Sequence, residues 1–367
     1  MFSSCRKYND PWGCKDCPRV SDECSCENYP DINDTTSVLV ARQRYLQGES
    51  IEMGTFRIQH VQANPINSNQ LLFYEIPIGM AAGNSDANAG FVLYDIASRE
   101  KTYLVDIIGV DLPSISYEWD FNNNIYLNYF DLSSKLGGIG RYNTVTGEFS
   151  SVTFPNVEET RGVSWLKKTN SIGFTAIMIK GGRVGQNYFT YNFESQVLDT
   201  FIHDTVNFEK VGYYDNQWSD DLLINGGVKN TGEKYVLAYY DWPNSKCGVV
   251  AKSWQFKSGL NNELGYLSYK WLPNSTKLYM AHAETGIHYS NVKGSNLVRI
   301  KKHCDNLRYI EIDITGDGSK LIALRRQYRY SNIPPRPTWV DGWLYTKDEI
   351  VMMDIDGCNE EVIYKGY

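Results

Sequence analysis

The chain of 367 residues has no run of the roughly 18–20 apolar residues that a membrane-spanning helix needs, so no part of it is expected to cross a bilayer in that form. It lacks a basic surplus. Lys and Arg number 36 against 43 Asp and Glu, a formal net charge of −7, which argues against the basic face that nucleic-acid phosphates require. Histidine is scarce: His60, His203, His282, His288 and His303 are scattered, with no His-x-x-x-His pair or Glu-adjacent zinc motif. There is no Gly-x-Ser-x-Gly nucleophile elbow, and glycine-rich pieces such as Gly181-Gly-Arg-Val-Gly185 lack the strand–helix setting of a phosphate loop. No metal and no cofactor is therefore expected. Alanine is sparse too, whereas Tyr (27), Asn and Gly are plentiful, a profile that suits strands and tight turns better than helices. With 42% hydrophobic and 14% aromatic residues the chain has material for a core and is not disordered.

Cysteine is nearly absent from the body of the chain and crowded at its start. Cys5, Cys14, Cys17, Cys24 and Cys26 precede Cys247, Cys304 and Cys358. The first 35 residues show little hydrophobic pattern and read as an irregular tether, leaving residues 36–367 as the folded unit. Cys14-x2-Cys17 has zinc-knuckle spacing, but Cys24-x-Cys26 is too tight for the usual second pair, so disulfides among Cys14, Cys17, Cys24 and Cys26 are the favoured reading. Phe2-Ser-Ser-Cys5 resembles a bacterial lipobox, which implies a lipid anchor on Cys5 and a polar tether from Arg6 to Asp10. It departs from that pattern in having Phe where Leu is usual, and in lacking the charged and apolar parts of a signal peptide upstream.

A short phrase returns about every fifty residues. It reads Asn64-Pro-Ile-Asn-Ser-Asn-Gln-Leu71, Trp119-Asp-Phe-Asn-Asn-Asn-Ile125, Trp165-Leu-Lys-Lys-Thr-Asn-Ser-Ile172, Asp215-Asn-Gln-Trp-Ser-Asp-Asp-Leu222, Trp271-Leu-Pro-Asn-Ser-Thr-Lys-Leu278 and Ile314-Thr-Gly-Asp-Gly-Ser-Lys-Leu321. Each copy has an anchor, a polar turn and an apolar residue that opens an alternating run. The closing residues lie 54, 47, 50, 56 and 43 apart. Further along each copy comes an element such as Phe91-Val-Leu-Tyr-Asp95 or Ile139-Gly-Arg-Tyr-Asn143, then a turn, then a closing strand such as Ser151-Val-Thr-Phe154. Gly147, Gly294 and Gly357 each stand five residues after Tyr142, Tyr289 and Met352, where a tight hairpin wants positive φ. Four short strands per copy and six copies predict an all-β, six-bladed β-propeller of four-stranded antiparallel blades. A seventh blade is the alternative, if residues 36–55 contribute strands. Trp119, Trp165 and Trp271 are expected at equivalent, largely buried positions.

The late copies resemble TolB-type, WD-repeat-like propellers of bacterial envelopes. Gly316-Asp-Gly-Ser-Lys-Leu-Ile322 and Ile350-Val-Met-Met-Asp-Ile-Asp-Gly357 carry the resemblance, with Trp271–Leu278 beside them; the first four copies match in outline only. The resemblance implies an envelope or periplasmic location. Its motifs are structural and transfer no active site.

Asp354-Ile-Asp-Gly-Cys-Asn-Glu360 spaces oxygen donors as a calcium loop does, yet Asp-Gly is also a favoured hairpin turn, and a turn is the preferred reading there and at Asp313 and Asp317. Two second-to-third-strand links are long, about Ile76–Gly90 and Gln327–Lys347. Ring closure would set them side by side on one face. The second is dense in aromatic, proline and arginine residues, the makings of a binding surface for a protein or glycan partner: Arg326, Arg329, Tyr330, Trp339, Trp343 and Tyr345. The competing reading packs this link on the rim as a plug. For the whole chain, a non-catalytic binding or scaffolding propeller is the primary expectation. A carbohydrate-active hydrolase or lyase with acids at the channel mouth is the alternative, Glu75, Glu118, Asp120 and Asp215 being its candidates.

Overall fold

The computed structural model describes residues 56–77, 90–104, 117–180, 183–200, 217–218, 224–230, 235–241, 246–252, 266–282, 286–291, 297–302, 307–330 and 343–366. The tether, its cysteines, the residues 36–55 of the seventh-blade alternative, and the anchor at Leu222 lie outside them, as do Asp215 and Trp339.

The described strands form six four-stranded antiparallel sheets, each made of four consecutive strands in sequence order. The first holds β1 (Phe56–Ala63), β2 (Gln70–Pro77), β3 (Gly90–Asp95) and β4 (Lys101–Leu104). The second holds β5 (Tyr117–Trp119), β6 (Asn124–Asp131), β7 (Leu136–Asn143) and β8 (Phe149–Thr153). The third holds β9 (Val157–Leu166), β10 (Ser171–Lys180), β11 (Arg183–Asn192) and β12 (Val197–Thr200). The fourth is described by its backbone ladder: β13 (Gln217–Trp218), β14 (Ile224–Asn230), β15 (Tyr235–Asp241) and β16 (Lys246–Lys252). The fifth holds β17 (Tyr266–Trp271), β18 (Lys277–His282), β19 (Gly286–Asn291) and β20 (Leu297–Lys301), and the last β21 (Leu307–Ile314), β22 (Lys320–Tyr330), β23 (Trp343–Asp354) and β24 (Glu361–Lys365). This is an all-β propeller of four-stranded blades, and five of its sheets carry described side chains.

The repeated phrase is the hairpin joining the first and second strands of a blade. Trp119 faces Ile125 across it, Trp165 faces Ile172, Trp271 faces Leu278 and Ile314 faces Leu321. Leu71, Ile125, Leu278 and Leu321 are wholly buried. Trp119 and Trp271 are also buried, and Trp165 is half-buried. Asn123, Asn170, Asn274 and Gly318 take the positive φ that each of these hairpins needs.

The core sits between blades, because each sheet offers both faces to its neighbours. One cluster joins the first and second sheets through Leu72, Tyr74, Trp119 and Leu127, and another joins the second and third through Tyr126, Ile139, Phe154 and Phe174. The fifth and last sheets share Tyr279, Ile287, Ile312 and Met353. The last and first sheets share Phe73, Tyr94, Ile322, Leu324 and Tyr364. Alternating inward residues from two sheets therefore interlock across each seam.

The third strands β3, β7, β11, β15, β19 and β23 end on Asp95, Asn143, Asn192, Asp241, Asn291 and Asp354. Where side chains are described, this residue organises the next turn. Asp95 Oδ1 accepts from Ser98 N, Asn143 Oδ1 from Val145 N and Thr146 N, and Asn192 Oδ1 from Glu194 N and Ser195 N. Asp354 accepts from Lys320 Nζ and Asn359 Nδ2, while Asp356 Oδ1 accepts from Cys358 N, so the oxygen-rich loop is spent on turn geometry. Gly147 and Gly357 hold φ of 72° and 87°, and the same offset in the first and third blades is filled by Arg99 at 61° and Gln196 at 56°.

Candidate functional site

The first strand of each blade is innermost, and one of its positions is polar in every blade. The residue before the hairpin anchor is Gln62, Glu118, Ser164, Gln217, Lys270 or Asp313. Side chains from non-adjacent blades meet here. Lys270 Nζ of the fifth sheet donates to Glu118 Oε1 of the second at 2.8 Å and lies 3.2 Å from Asp313 Oδ1 of the last. The axis of the propeller is thus filled by a carboxylate–ammonium–carboxylate cluster. Asp313, expected in a turn, stands on β21 instead, and its other oxygen accepts from Ala63 N at 2.8 Å. Glu311 Oε2 accepts from Val61 N, and Gln62 Nε2 donates to Tyr117 O.

Burial raises the Glu118 carboxyl above its usual range, and Asp313 adds to the rise while Lys270 opposes it. Burial also works against the Lys270 charge, but Asp313 and Glu118 outweigh it and hold the ammonium above its ordinary value. The Tyr117 phenol is pushed well up, first by burial and then by Glu311, Asp313 and Glu118; it donates to His60 O and, at 3.2 Å, to Leu72 O. A carboxylate pair bridged by one ammonium is an ion-paired tie, not an acid and a base flanking an open space for substrate. Among the described residues, no group of three or more His, Cys, Asp or Glu side chains is placed to hold a metal ion.

The other two candidate acids within the described residues hold turns and seams. Asp120 is buried and accepts from Asn122 N, Asn124 N, Asn124 Nδ2 and Tyr126 OH, which pins the second-blade hairpin. Glu75, also buried, receives Tyr364 OH from the last blade, together with Tyr103 OH at 2.9 Å and Lys101 Nζ at 3.2 Å. The Tyr103 phenol is pushed up to about 12 by burial and by Glu75.

The last blade also departs from the expected link geometry. β22 and β23 keep pairing through much of the segment expected as an insertion, from Arg326↔Asp348 through a bulge to Arg329↔Leu344 and Tyr330↔Trp343. Arg329, Tyr330, Trp343 and Tyr345 are therefore strand residues, whose side chains lie outside the description. Arg326 is 4% exposed: Nε and Nη2 pair with Asp348 at 2.7 and 2.8 Å, and Nη2 also donates to Ile58 O. It is a seam residue, not one presented to a partner. Asp348 in turn accepts from Ile58 N at 2.8 Å. The links after β2 and β22 leave at corresponding ends of adjacent blades, since Phe56 pairs with Pro77 and Leu307 with Gln327. Sequence reasoning passed over Lys270. The signal was Tyr117-Glu-Trp119 against Tyr269-Lys-Trp271, one tripeptide with its central charge reversed.

The geometry has known counterparts. The fold is similar to that of a TolB-type protein from Agrobacterium tumefaciens, with a TM-score of 0.51 at 11% identity, covering 74% of this chain and 87% of that one. TolB from Acinetobacter baumannii gives a TM-score of 0.47 at 11% identity over 88% of this chain and 67% of that one. The β-propeller domain of the Trilobed protease from Pyrococcus furiosus gives 0.47 at 10% identity over 84% and 98%. At such identities the likeness is one of fold. No protein-family model and no curated protein matches the chain.

Proposed function

We propose that this is a non-catalytic binding or scaffolding propeller of a bacterial cell envelope, built as a closed ring of six blades. On this reading it holds a protein or glycan partner on the face that carries the links after β2 and β22. The observation that carries the reading is the axial cluster: Glu118, one of the acids that a channel-mouth hydrolase or lyase would use, is tied through Lys270 to Asp313. The extension of β22 and β23 adds support. It carries Arg329, Tyr330, Trp343 and Tyr345 on paired strands, with Trp339 between them in sequence.

The envelope location rests on the TolB-like fold and on the lipobox resemblance at Cys5, with disulfides among Cys14, Cys17, Cys24 and Cys26 fitting an oxidising compartment. The test is capture from envelope extracts by the full chain and by the double variant Trp339→Ala, Trp343→Ala. Loss of capture by about 2 kcal/mol or more with an unchanged melting temperature supports the reading; unchanged capture with a large loss of stability means that the hairpin is a plug. Separately, Cys5→Ala in the native precursor should release the protein from the membrane fraction, and unchanged fractionation without an acyl group removes the anchor.

A further inference from the structure

Beyond Arg326 the last sheet gathers aromatic residues on one face. Ile322 and Leu324 of β22 belong to the cluster shared by the last and first sheets, and Arg326 donates to Ile58 O of the first. Strand alternation carries that face on to Tyr328 and Tyr330, and their ladder partners Tyr345 and Trp343 share it. Two cross-strand aromatic pairs thus stand on the side of the first sheet, whereas Arg329 and Leu344 occupy the other side. The flanking strands stop short of these pairs. Leu307 of β21 pairs with Gln327, and the β24 ladder ends at Glu349↔Lys365. Among the described residues the aromatic pairs therefore belong to a two-stranded ribbon. Such a ribbon is marginal in water on its own, and a face of four rings calls for cover.

The seam shows which part of the chain passes there. Ala63 N is held by Asp313, the ladder partner of Ile322; Val61 N by Glu311, the partner of Leu324; and Ile58 N by Asp348, the partner of Arg326. Each step towards the start of β1 is thus a step towards the end of β22. The extra residue between Ile58 and Val61 is absorbed by the bulge between Gln59 and Gln62. The next steps set Phe56 level with Tyr328 and Gly54 level with Tyr330, about 7 and 13 Å beyond Arg326. The chain that precedes β1 leaves the seam across the two aromatic pairs.

We infer that residues 51–55 of this chain lie on the aromatic face of the ribbon as its cover. The segment reads Ile51-Glu-Met-Gly-Thr55. Gly54 frees it from the alternation of β1 just past Phe56, so that Met53 and Ile51 can turn to the rings. A thioether suits a cluster of aromatic edges, and a branched side chain pairs well with aromatic ones. The consequence rests on the partner-capture reading: a partner reaches Tyr330, Trp343 and Tyr345 only by displacing this segment. The chain then guards its own binding face.

The test is a photo-crosslink in the full chain, with Met53 replaced by p-benzoylphenylalanine and the linked peptides identified by mass spectrometry. The expected product is an intramolecular link to residues 326–330 or 343–348. The inference is overturned if no intramolecular link forms there, if the link falls on another part of the chain, or if the product is a cross-linked dimer, which would make a second copy the cover. Hydrogen exchange gives a second readout. In the full chain carrying Ile51→Asp and Met53→Asp, the amides of Tyr328, Arg329, Tyr330, Trp343, Leu344 and Tyr345 should exchange about tenfold faster or more, while those of β17–β20 keep their rates. Equal rates at the ribbon in variant and parent also overturn the inference. Neither readout involves a partner. A missing crosslink therefore leaves capture through Trp339 and Trp343 standing, and a failure of capture leaves the cover standing.

Discussion

Replacing Lys270 by Met tests whether the axial cluster holds the ring together. The substitution keeps most of the volume and removes the one ammonium shared by Glu118 and Asp313. Two carboxylates then remain at the axis, Asp313 with a side chain 4% exposed and Glu118 with 15%. Breaking a buried pair by deleting one partner costs roughly 3–5 kcal/mol, and partial exposure of Lys270 argues for the lower end, about 3 kcal/mol. For a propeller of this size that lowers the melting temperature by roughly 5 °C. The pH dependence gives the sign. A carboxyl with a raised folded pKa binds more protons folded than unfolded, so its stability contribution falls as pH rises above the unfolded value. Glu118 is already raised in the parent, and loss of Lys270 raises it further. The deficit of the variant should therefore be largest near pH 8 and shrink towards pH 5, where protonation relieves the repulsion. Circular-dichroism melts at the two pH values read this directly. Adding Glu118→Gln and Asp313→Asn to Lys270→Met should recover most of the loss, because the amide of residue 313 can still accept from Ala63 N. Equal melting of Lys270→Met and parent at pH 8, or a deficit that grows on acidification, would refute the argument.

Arg326→Met should cost about 3 kcal/mol or more, since it strands buried Asp348 without its bidentate partner. Limited proteolysis should then cut first at the seam between the first and last blades; an uncut seam would deny Arg326 its closing role. Tyr364→Phe removes the hydroxyl that donates to buried Glu75 and should cost about 1.5–3 kcal/mol by chemical denaturation, a loss below 0.5 kcal/mol counting against it. Gly147→Ala should cost about 1 kcal/mol through its positive φ, as the added Cβ would meet nothing nearer than Tyr142 OH at 3.9 Å. Gln196→Gly, at the equivalent offset, should be neutral or stabilising by the same assay.

What the sequence made legible was local. The hairpin anchors face each other within about ten residues of chain, so the repeat exposes them directly, and the turn after each third strand is organised by the residue that ends the strand. Even the breaks obey this logic: Arg99 and Gln196 occupy the position where glycine was expected and still take its φ, because the hairpin around them leaves no other. The seam between the first and last blades was illegible for the opposite reason. Ile58 and Asp348 are 290 positions apart, Glu75 and Tyr364 289, and no periodicity relates them. Arg326 looked like part of a binding surface because it adjoins a stretch rich in rings and arginines. Whether a residue at that point is inside or outside depends on how far β22 continues before its ladder ends, which composition does not encode.

The same seam explains how the ring closes. Among the described residues no blade borrows a strand from the opposite end of the chain; each described sheet is made of four consecutive strands. The exposed edge of β1 would then leave amides without ladder partners, a cost that propellers must meet somehow. Here the last blade supplies carboxylates to those amides, Asp348 to Ile58, Glu311 to Val61 and Asp313 to Ala63. Asp313 does this with one oxygen while the other faces Lys270, so closure of the seam and filling of the axis share a residue. Gly316 fits the same scheme, since a Cβ there would collide with the Pro65 carbonyl of the first blade. Side chains thus perform at this seam what strand exchange performs when a ring is closed by swapping. The acids of this seam, none of them a catalytic candidate in the sequence, are thereby accounted for by the topology: with contiguous blades, anions stand where the first strand meets the last blade.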